Sequence, residues 1–409
     1  MNSGVSIKEQ YKKVSIHYAE VIKNFLSAQK NKISFAAYVM YESSFGGDSI
    51  FRKMLTSSEW SPFIVIIPDI LRGESHQKEN YIKTKEFFLA SYGEDRVIDG
   101  WDALSGDFID PISNFDIVYY ANPYDLMAHK FHRISYALNN NVLPIYISYG
   151  YDIGRNTTLY RLNSPELNLV WKVFADSSLS FNFYKKNQII KGKNVILSGY
   201  SKMDILEDYF SKNERKSRKK ILIASHHSVE MQELPLSNFL RYYDFFLKLP
   251  FIYPDVDFVF RPHPLLFDTL VNLKIWSNDQ VRDYIDDLKN NGIEYSTEGD
   301  YLRRFAECDA IINDCGSFTI ECLYTGKPGC FMYSRNLKKR HLTPLMNRAL
   351  DYYCIANTEK DILTFIDGVI KQNKQYVMSS WCKKNIAINY PNVSDFILNE
   401  INLFDKKVR

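Results

Sequence analysis

The sequence predicts an α/β protein made of two doubly wound parallel-sheet domains. Short apolar runs with strand character alternate with helical patterns along the chain. Several runs, such as PFIVIIP at 62–68, are apolar throughout, as in strands buried on both faces of a parallel sheet. A chain of 409 residues is longer than one ordinary domain. The basic stretch SKNERKSRKK at 211–220 interrupts the strand and helix patterns. We therefore expect two α/β domains joined at this polar connection.

The composition is typical of a globular protein, with 45% hydrophobic and 15% aromatic residues. No window holds the roughly 18–20 apolar residues needed to cross a bilayer. Residues 6–32 carry Lys, Glu and Gln where a signal peptide would be apolar. A net charge of +3 is too small to predict a nucleic-acid partner. We expect a cytoplasmic protein and leave open a peripheral association with the inner membrane face.

All cysteines lie in the C-terminal half of the chain. They are Cys308, Cys315, Cys322, Cys330, Cys354 and Cys382. None forms a CxxC pair, and the surroundings are apolar, so we expect buried thiols in a reducing compartment rather than disulfides or a zinc site.

Residues 1–205 are predicted to form the N-terminal, acceptor-side domain. A leading helix at 7–29 precedes a strand at 33–40, and Glu42 and the pair Gly46-Gly47 follow that strand. The other predicted elements are strands at 62–68, 115–120, 142–148, 171–175 and 194–197, with helices at 49–55, 82–92 and 123–138.

Residues 206–375 are predicted to form the donor-binding domain, and a C-terminal helix within 376–409 is expected to return to the first domain. The predicted strands are at 220–224, immediately before Arg261, at 309–313 and at 329–333. The predicted helices are at 236–249, 267–276, 281–290, 301–308, 361–372 and 393–404.

The segment FVFRPHPL at 258–265 contains the leading candidate site residue. His263 lies between Pro262 and Pro264, which fix the backbone on both sides just after an apolar strand. Open α/β sheets bind ligands at this end of their strands. An isolated His-Pro pair is more often a simple turn, but three further features favour a site. They are the strand end Ser225-His226-His227-Ser228, the helix start Asp314-Cys315-Gly316-Ser317, and Glu321 one turn later.

These residue types together are suited to a phosphate-bearing nucleotide. A helix starting at Gly316 and Ser317 offers amide N–H groups and a hydroxyl to a phosphate, while Glu321 on the same face can accept from ribose hydroxyls. A plain N-cap is the structural alternative for Ser317. Imidazoles and a guanidinium near the strand ends can donate to phosphate oxygens, and the residues are His263, His226, His227 and Arg261.

Two other chemistries are not favoured by the spacing. The three histidines form no HxH or HExxH pattern, so we predict no metal site. Cys315 is not predicted to be a nucleophile, because no base is placed beside it.

RPHP after an apolar strand, followed by the strand-to-helix segment DCGSFTIE and by GKP, resembles the CDP-glycerol glycerophosphotransferase family. The segments YVMYESSFGGDSIFRKM and FDIVYYANPYDL are similar to the N-terminal domains of bacterial relatives of that family. The resemblance implies a GT-B fold, with two Rossmann-type domains facing across a cleft and C-terminal helices packing back.

The resemblance also implies roles for individual residues. His263 would contact the donor pyrophosphate, Ser317 would bind phosphate at the helix start, and Glu321 would lie near the ribose. The family's His-Gly pair, thought to supply the base for the acceptor, is replaced here by Tyr149-Gly150. The base is therefore left open among Asp152, Glu42 and His17.

The expected function is transfer of glycerol phosphate, or a related alditol phosphate, from a CDP-activated donor to a hydroxyl of a cell-surface polysaccharide or teichoic-acid-like acceptor. The acceptor partner is expected to be a glycan or a lipid-linked glycan. CMP would be the leaving group. No cofactor is expected to be required, and whether a divalent cation binds between the donor phosphates is left open. The alternatives are a glycosyltransferase using a CMP- or UDP-sugar, a non-catalytic nucleotide- or glycan-binding relative, and a sugar-nucleotide epimerase. The catalytic candidates are His263, Asp152 and Glu42; Arg261, His226, His227, Gly316 and Ser317 are expected at the donor phosphates and Glu321 at the ribose.

Overall fold

The computed structural model describes residues 6–212, 218–297, 301–371 and 376–405. The centre of the predicted polar connection, 213–217, and the end of the predicted C-terminal segment, 406–409, lie outside the described residues.

Parallel strands and α-helices alternate through the described residues. The strands are β1 (Ile33–Val39), β2 (Trp60–Ile66), β3 (Val97–Asp99), β4 (Ile117–Tyr120), β5 (Leu143–Ile147), β6 (Lys172–Ala175), β7 (Val195–Leu197), β8 (Lys219–Ala224), β9 (Val256–Phe260), β10 (Ile293–Tyr295), β11 (Ala310–Asn313), β12 (Gly329–Met332) and β13 (Cys354–Ala356). The helices are α1 (Ile7–Ser27), α2 (Asp48–Thr56), α3 (Glu74–Tyr92), α4 (Ile134–Ala137), α5 (Arg155–Leu162), α6 (Pro165–Leu169), α7 (Ser178–Asn187), α8 (Leu206–Lys212), α9 (Phe239–Ile252), α10 (Leu266–Asn272), α11 (Asn278–Asn290), α12 (Leu302–Glu307), α13 (Gly316–Glu321), α14 (Pro344–Ala349), α15 (Glu359–Lys371), α16 (Ser380–Asn385) and α17 (Val393–Ile401).

The first sheet has the strand order β3-β2-β1-β4-β5-β6-β7 within the described residues, and every neighbouring pair is parallel. All five residues of β5 are buried, as expected for a strand covered on both faces. The strand order reverses between β1 and β4, and open α/β sheets bind ligands beyond the strand ends at such a point.

The second sheet repeats this plan with the order β10-β9-β8-β11-β12-β13, again with parallel neighbours in the described part of the chain. Its order reverses between β8 and β11, so the residues that follow β8, β9 and β11 lie at the ligand-binding edge. The predicted class, two doubly wound α/β sheets, is confirmed.

The chain divides into two compact units, one around each sheet. The first comprises the described residues up to 150, 159–204 and those from 385 onward, and the second comprises 151–158 and the described residues within 205–384. The short stretch 151–158, which contains Asp152, thus groups with the second sheet. The domain limits drawn from the sequence stay a prediction.

The C-terminal helix α17 packs on the first unit. Its side chains Val393, Ile397 and Ile401 are fully buried, and burying each such side chain contributes roughly 1.5–3 kcal/mol. The Asp204 carboxylate accepts from the amide of Ser394 at 2.7 Å at the start of the helix. The chain therefore returns to the first sheet after completing the second.

The predicted helix at 123–138 is wrong. Only α4, at its end, is α-helical, because the Asp125 carboxylate accepts from the amides of Ile134 (2.7 Å) and Ser135 (3.0 Å). A side chain that caps residues nine and ten positions later requires the chain to fold back, which one continuous helix cannot do.

Among the described residues, helices that combine the length and the apolar character required to span a bilayer are absent.

Candidate functional site

The loops after β8 and β9 are joined by backbone hydrogen bonds. The amide of Arg261 donates to the carbonyl of Ile223 (2.8 Å), and the amide of His263 donates to the carbonyl of Ser225 (2.8 Å). Pro262 and Pro264 have no amide hydrogen and cannot donate. The amides of Arg261 and His263 therefore make the hydrogen bonds that join this loop to the loop after β8. The parallel pairing thus continues past the strands and holds the two histidine-bearing loops together.

Three imidazole rings meet at this edge of the second sheet. The ring centroids of His227 and His263 are 4.1 Å apart, those of His226 and His227 are 4.4 Å apart, and those of His226 and His263 are 5.3 Å apart. Each ring has one nitrogen that lies within 4.8 Å of a nitrogen of each of the other two rings. All three residues are partly exposed. We call this group the histidine cluster.

Two histidines of the cluster, His226 and His263, have a lowered pKa. Burial, with the nearby His227 and Arg261, lowers the pKa of His263 to about 3. Burial and the two neighbouring imidazoles also lower the pKa of His226 well below its usual range. Near neutral pH these two rings can therefore donate and accept hydrogen bonds but carry no charge.

Asp314 ties the end of β11 to the loop that follows β8. Its carboxylate accepts from the amides of His226 (2.6 Å) and Asn238 (2.5 Å), the second at the start of α9. Burial raises the pKa of this fully buried carboxyl to about 7, although both hydrogen bonds act in the opposite direction. Asp314 begins the helix-start motif Asp314-Cys315-Gly316-Ser317, but no role was predicted for it from the sequence. An acidic residue at a strand end, followed by a glycine-containing helix start, was the available signal.

Arg261 is buried, with 6% of its surface exposed. Its Nη1 donates to the Ser296 hydroxyl at 3.3 Å, and its guanidinium lies 5.7 Å from the ring centre of Tyr301. These contacts orient the guanidinium within the second unit. The bidentate phosphate contact expected of Arg261 stays a prediction.

The start of α13 differs from its sequence-based description in two ways. The N-cap is Cys315, so the N-cap alternative for Ser317 is wrong, and Ser317 lies partly exposed in the first turn. The space beside Gly316 is filled, since a Cβ added there would be 2.1 Å from Cδ1 of Ile153. Gly316 therefore allows close packing against Ile153, and phosphate binding at Gly316 and Ser317 stays a prediction.

Glu321 has 0% exposed surface, because α13 turns it into the protein rather than toward the sheet edge. A ribose could reach this carboxylate only after the surrounding side chains moved. The ribose role therefore stays a prediction.

The candidates for the base lie in different units. Glu42, after β1 in the first unit, pairs with Lys83 at 2.7 Å and lies 3.3 Å from the Thr84 hydroxyl. Asp152 belongs to the second unit, where its backbone carbonyl accepts from the Thr343 hydroxyl at 2.7 Å. Which of them takes a proton stays a prediction.

His17 is wrongly placed for a base at the ligand-binding edge of the first sheet. Its Nε2 lies 3.0 Å from the carbonyl of Asn140, which precedes β5. This contact is at the amino end of the parallel strands, opposite the edge where such sheets bind ligands.

No protein-family model matches the chain, and no curated protein matches it. Solved structures do match in fold. A variant of the wall teichoic acid polymerase TagF aligns with a TM-score of 0.56 and 12% identity over 95% of this chain and 97% of the TagF chain. A TagF variant soaked with CDPG gives 0.54 and 12% over 96% and 97%. The UDP-GlcNAc 2-epimerase from Neisseria meningitidis, bound to UDP-GlcNAc, gives 0.52 and 16% over 90% and 99%.

At these identities the likeness establishes the fold alone. The two parallel-sheet units have the GT-B architecture that these enzymes share, as the resemblance of the RPHP and DCGSFTIE segments implied. A teichoic acid polymerase and a UDP-GlcNAc 2-epimerase match similarly well, so the fold alone does not distinguish between these two activities.

Proposed function

We propose that this chain is a GT-B transferase that uses a CDP-activated donor, CDP-glycerol or a related CDP-alditol. It moves the alditol phosphate to a hydroxyl of a cell-surface polysaccharide or teichoic-acid-like polymer. The observation that carries the proposal is the convergence of His226, His227 and His263 at the ends of adjacent parallel strands. The likeness to TagF supports the choice of donor.

In the proposed reaction the acceptor hydroxyl oxygen attacks the phosphorus that carries the alditol. A new P–O bond forms, the P–O bond to CMP breaks, and CMP leaves with the bonding electrons. The hydroxyl proton passes to a base. Hydrogen-bond donors placed at the leaving phosphate stabilise the charge that develops there, and neutral imidazoles at His226 and His263 provide such donors.

Asp152 and Glu42 are the two carboxylate candidates for the base. The Glu42 carboxylate forms an ion pair with Lys83 at 2.7 Å. A carboxylate needs no large change in basicity to accept a proton late in the transition state. The rates of transfer by Asp152→Asn and Glu42→Gln decide between them, and the substitution that reduces transfer more identifies the base.

Donor choice is the direct test of this function. The full chain is incubated with CDP-glycerol, a CMP-sugar or UDP-GlcNAc, with and without a teichoic-acid-like oligomer. Released nucleotide and extended oligomer are measured by mass spectrometry. We expect release of CMP from CDP-glycerol that depends on the oligomer. Transfer from a CMP- or UDP-sugar would instead identify a glycosyltransferase, and binding without release would identify a non-catalytic protein.

Epimerisation is the second candidate, because the match covers 99% of the Neisseria meningitidis epimerase chain. It predicts conversion of UDP-GlcNAc to its 2-epimer with no acceptor present, which NMR of the nucleotide sugar detects. Such conversion, without CMP release from CDP-glycerol, would replace the transferase proposal.

A further inference from the structure

The hydrogen bonds around His263 determine which ring nitrogen carries its proton. The amide of Leu265 donates to Nδ1 of His263 at 3.1 Å. A neutral imidazole has one N–H and one acceptor nitrogen, so a ring whose Nδ1 accepts must carry its hydrogen on Nε2. The Nε2–H group is then the polar hydrogen that this ring offers to a ligand.

Ser228 determines the same tautomer at His226. Its amide donates to Nδ1 of His226 at 3.2 Å, and its hydroxyl oxygen lies 2.9 Å from the same nitrogen. That oxygen also accepts from the amides of Leu236 (3.1 Å) and Ser237 (3.3 Å). With its lone pairs engaged, the hydroxyl directs its hydrogen toward Nδ1. Two donors at Nδ1 leave the ring proton on Nε2.

Three clustered imidazoles can bind either a metal ion or an oxyanion. The tautomers of His226 and His263 favour the oxyanion. A metal ion needs an acceptor nitrogen from each ring, and its ligating histidines ordinarily donate from their other nitrogen. In His226 and His263 this other nitrogen, Nδ1, accepts a hydrogen bond instead. Nε2 therefore carries the ring hydrogen and has no lone pair with which to bind a metal ion. An oxyanion needs N–H donors, which these two rings supply without burying positive charge.

We propose that Ser228 and the amide of Leu265 hold His226 and His263 as neutral Nε2–H donors, so that the histidine cluster is an oxyanion site and not a transition-metal site. Ser228 is a positioning residue in this scheme, since it acts through His226. The identity of the anion as a donor phosphate rests on the proposed function. The tautomers and the binding of simple anions do not.

The tautomers can be read directly by NMR. In the full chain labelled with ¹⁵N-histidine, correlation of the ring nitrogens with the carbon-bound protons distinguishes Nε2–H from Nδ1–H rings. Signals are assigned with His226→Gln and His263→Gln. We expect both histidines in the Nε2–H form at neutral pH. An Nδ1–H form or an imidazolium at either position overturns the proposal.

Ser228 has a matched pair of variants. Ser228→Ala removes the hydroxyl that donates to His226, and Ser228→Thr keeps it. The backbone amide of residue 228 still donates to Nδ1 in both variants, so we expect the Nε2–H form of His226 to remain in both. We expect the Nδ1 chemical shift of His226 to move in the alanine variant, which has lost the hydroxyl hydrogen bond, and to stay unchanged in the threonine variant. A packing role alone would lower stability without moving this shift. An unchanged His226 signal in a folded Ser228→Ala protein contradicts the positioning role.

Binding is tested with inorganic pyrophosphate, CMP and Zn²⁺ as probes, by calorimetry. At position 263 the amide nitrogen of glutamine can replace Nε2–H, whereas that of asparagine corresponds to Nδ1. We expect His263→Gln to bind pyrophosphate within about threefold of the natural chain, and His263→Asn and His263→Ala to lose about tenfold or more. Tight Zn²⁺ binding that the histidine variants abolish, or no pyrophosphate binding at all, overturns the anion site. Pyrophosphate binding without transfer from CDP-glycerol leaves the anion site standing and removes the proposed function.

Discussion

The carboxylate of Asp314 accepts a hydrogen bond from the backbone amide of His226 at 2.6 Å. The same carboxylate accepts from the amide of Asn238 at the start of α9. One fully buried side chain therefore fixes the loop after β8 relative to both β11 and α9. The placement of the histidine cluster depends on this residue, which does not belong to the cluster.

Asp314→Ala should destabilise the protein by roughly 1–3 kcal/mol, because it leaves two amide donors, one of them on the buried residue Asn238, without their acceptor. Denaturant unfolding measures the change. Asp257→Asn is the matched control. Asp257 forms a partly exposed ion pair with Arg218 at 2.9 Å, a class of interaction worth about 0–1 kcal/mol. Equal effects of the two substitutions would show that Asp314 does not fix the loop.

His263→Ala should lower transfer from the CDP-activated donor by about 10²-fold or more, because a donor at the leaving phosphate is lost. Initial rates of CMP release and a circular dichroism spectrum give activity and folding together. His17→Ala, at the amino end of the first sheet, should stay within about twofold of the natural rate. An unfolded His263→Ala protein would mean that the ring is mainly structural.

Acid should destabilise the natural chain more than His263→Gln. The pKa of His263 falls from about 6.5 in the unfolded chain to about 3 in the folded protein. Between these values the unfolded chain binds more protons, so stability decreases as the pH falls, by at most about 1.4 kcal/mol per pH unit for one group. His226, His227 and Arg261 face this ring.

The measurement is the free energy of unfolding of both proteins from pH 7 to pH 4. Asp314 acts in the opposite direction, because its raised pKa makes the folded state bind more protons between about 3.8 and about 7. It is present in both proteins and so largely cancels in their difference. As the pH falls, we expect the free energy of unfolding of the natural chain to decrease relative to that of His263→Gln. A constant difference would show that His263 titrates normally.

Gly316→Ala should destabilise the second unit by about 1–3 kcal/mol, because the new methyl group would meet Cδ1 of Ile153. Helix propensity acts in the opposite direction and would favour alanine by at most about 1 kcal/mol, the value for a helix interior, whereas Gly316 is the first residue of α13. A double-mutant cycle with Ile153→Ala separates the two effects by denaturant unfolding. We expect Gly316→Ala to be tolerated once Ile153 is shortened. If Gly316→Ala still destabilised the protein in the Ile153→Ala background, the added methyl group would clash with a residue other than Ile153.

Strand-forming patterns in the sequence predicted both sheets, because apolar runs such as that of β5 are local features. Strands of three residues carry little pattern: β7 was predicted, but the equally short edge strands β3, β10 and β13 were not. Glu321 was assigned a ribose role from its helical spacing, but its burial is set by distant side chains that spacing does not reveal. The tautomers likewise depend on contacts such as Leu236 with Ser228, which exist only once the chain has folded.

The two hydrogen bonds from Arg261 and His263 to the preceding loop have a consequence for protein engineering. Because both prolines lack an amide hydrogen, the RPHP segment cannot find substitute partners by a small shift of register. Grafting either loop alone into another GT-B scaffold should leave its histidines misaligned. A successful transplant needs both loops moved together, as one interlocked module.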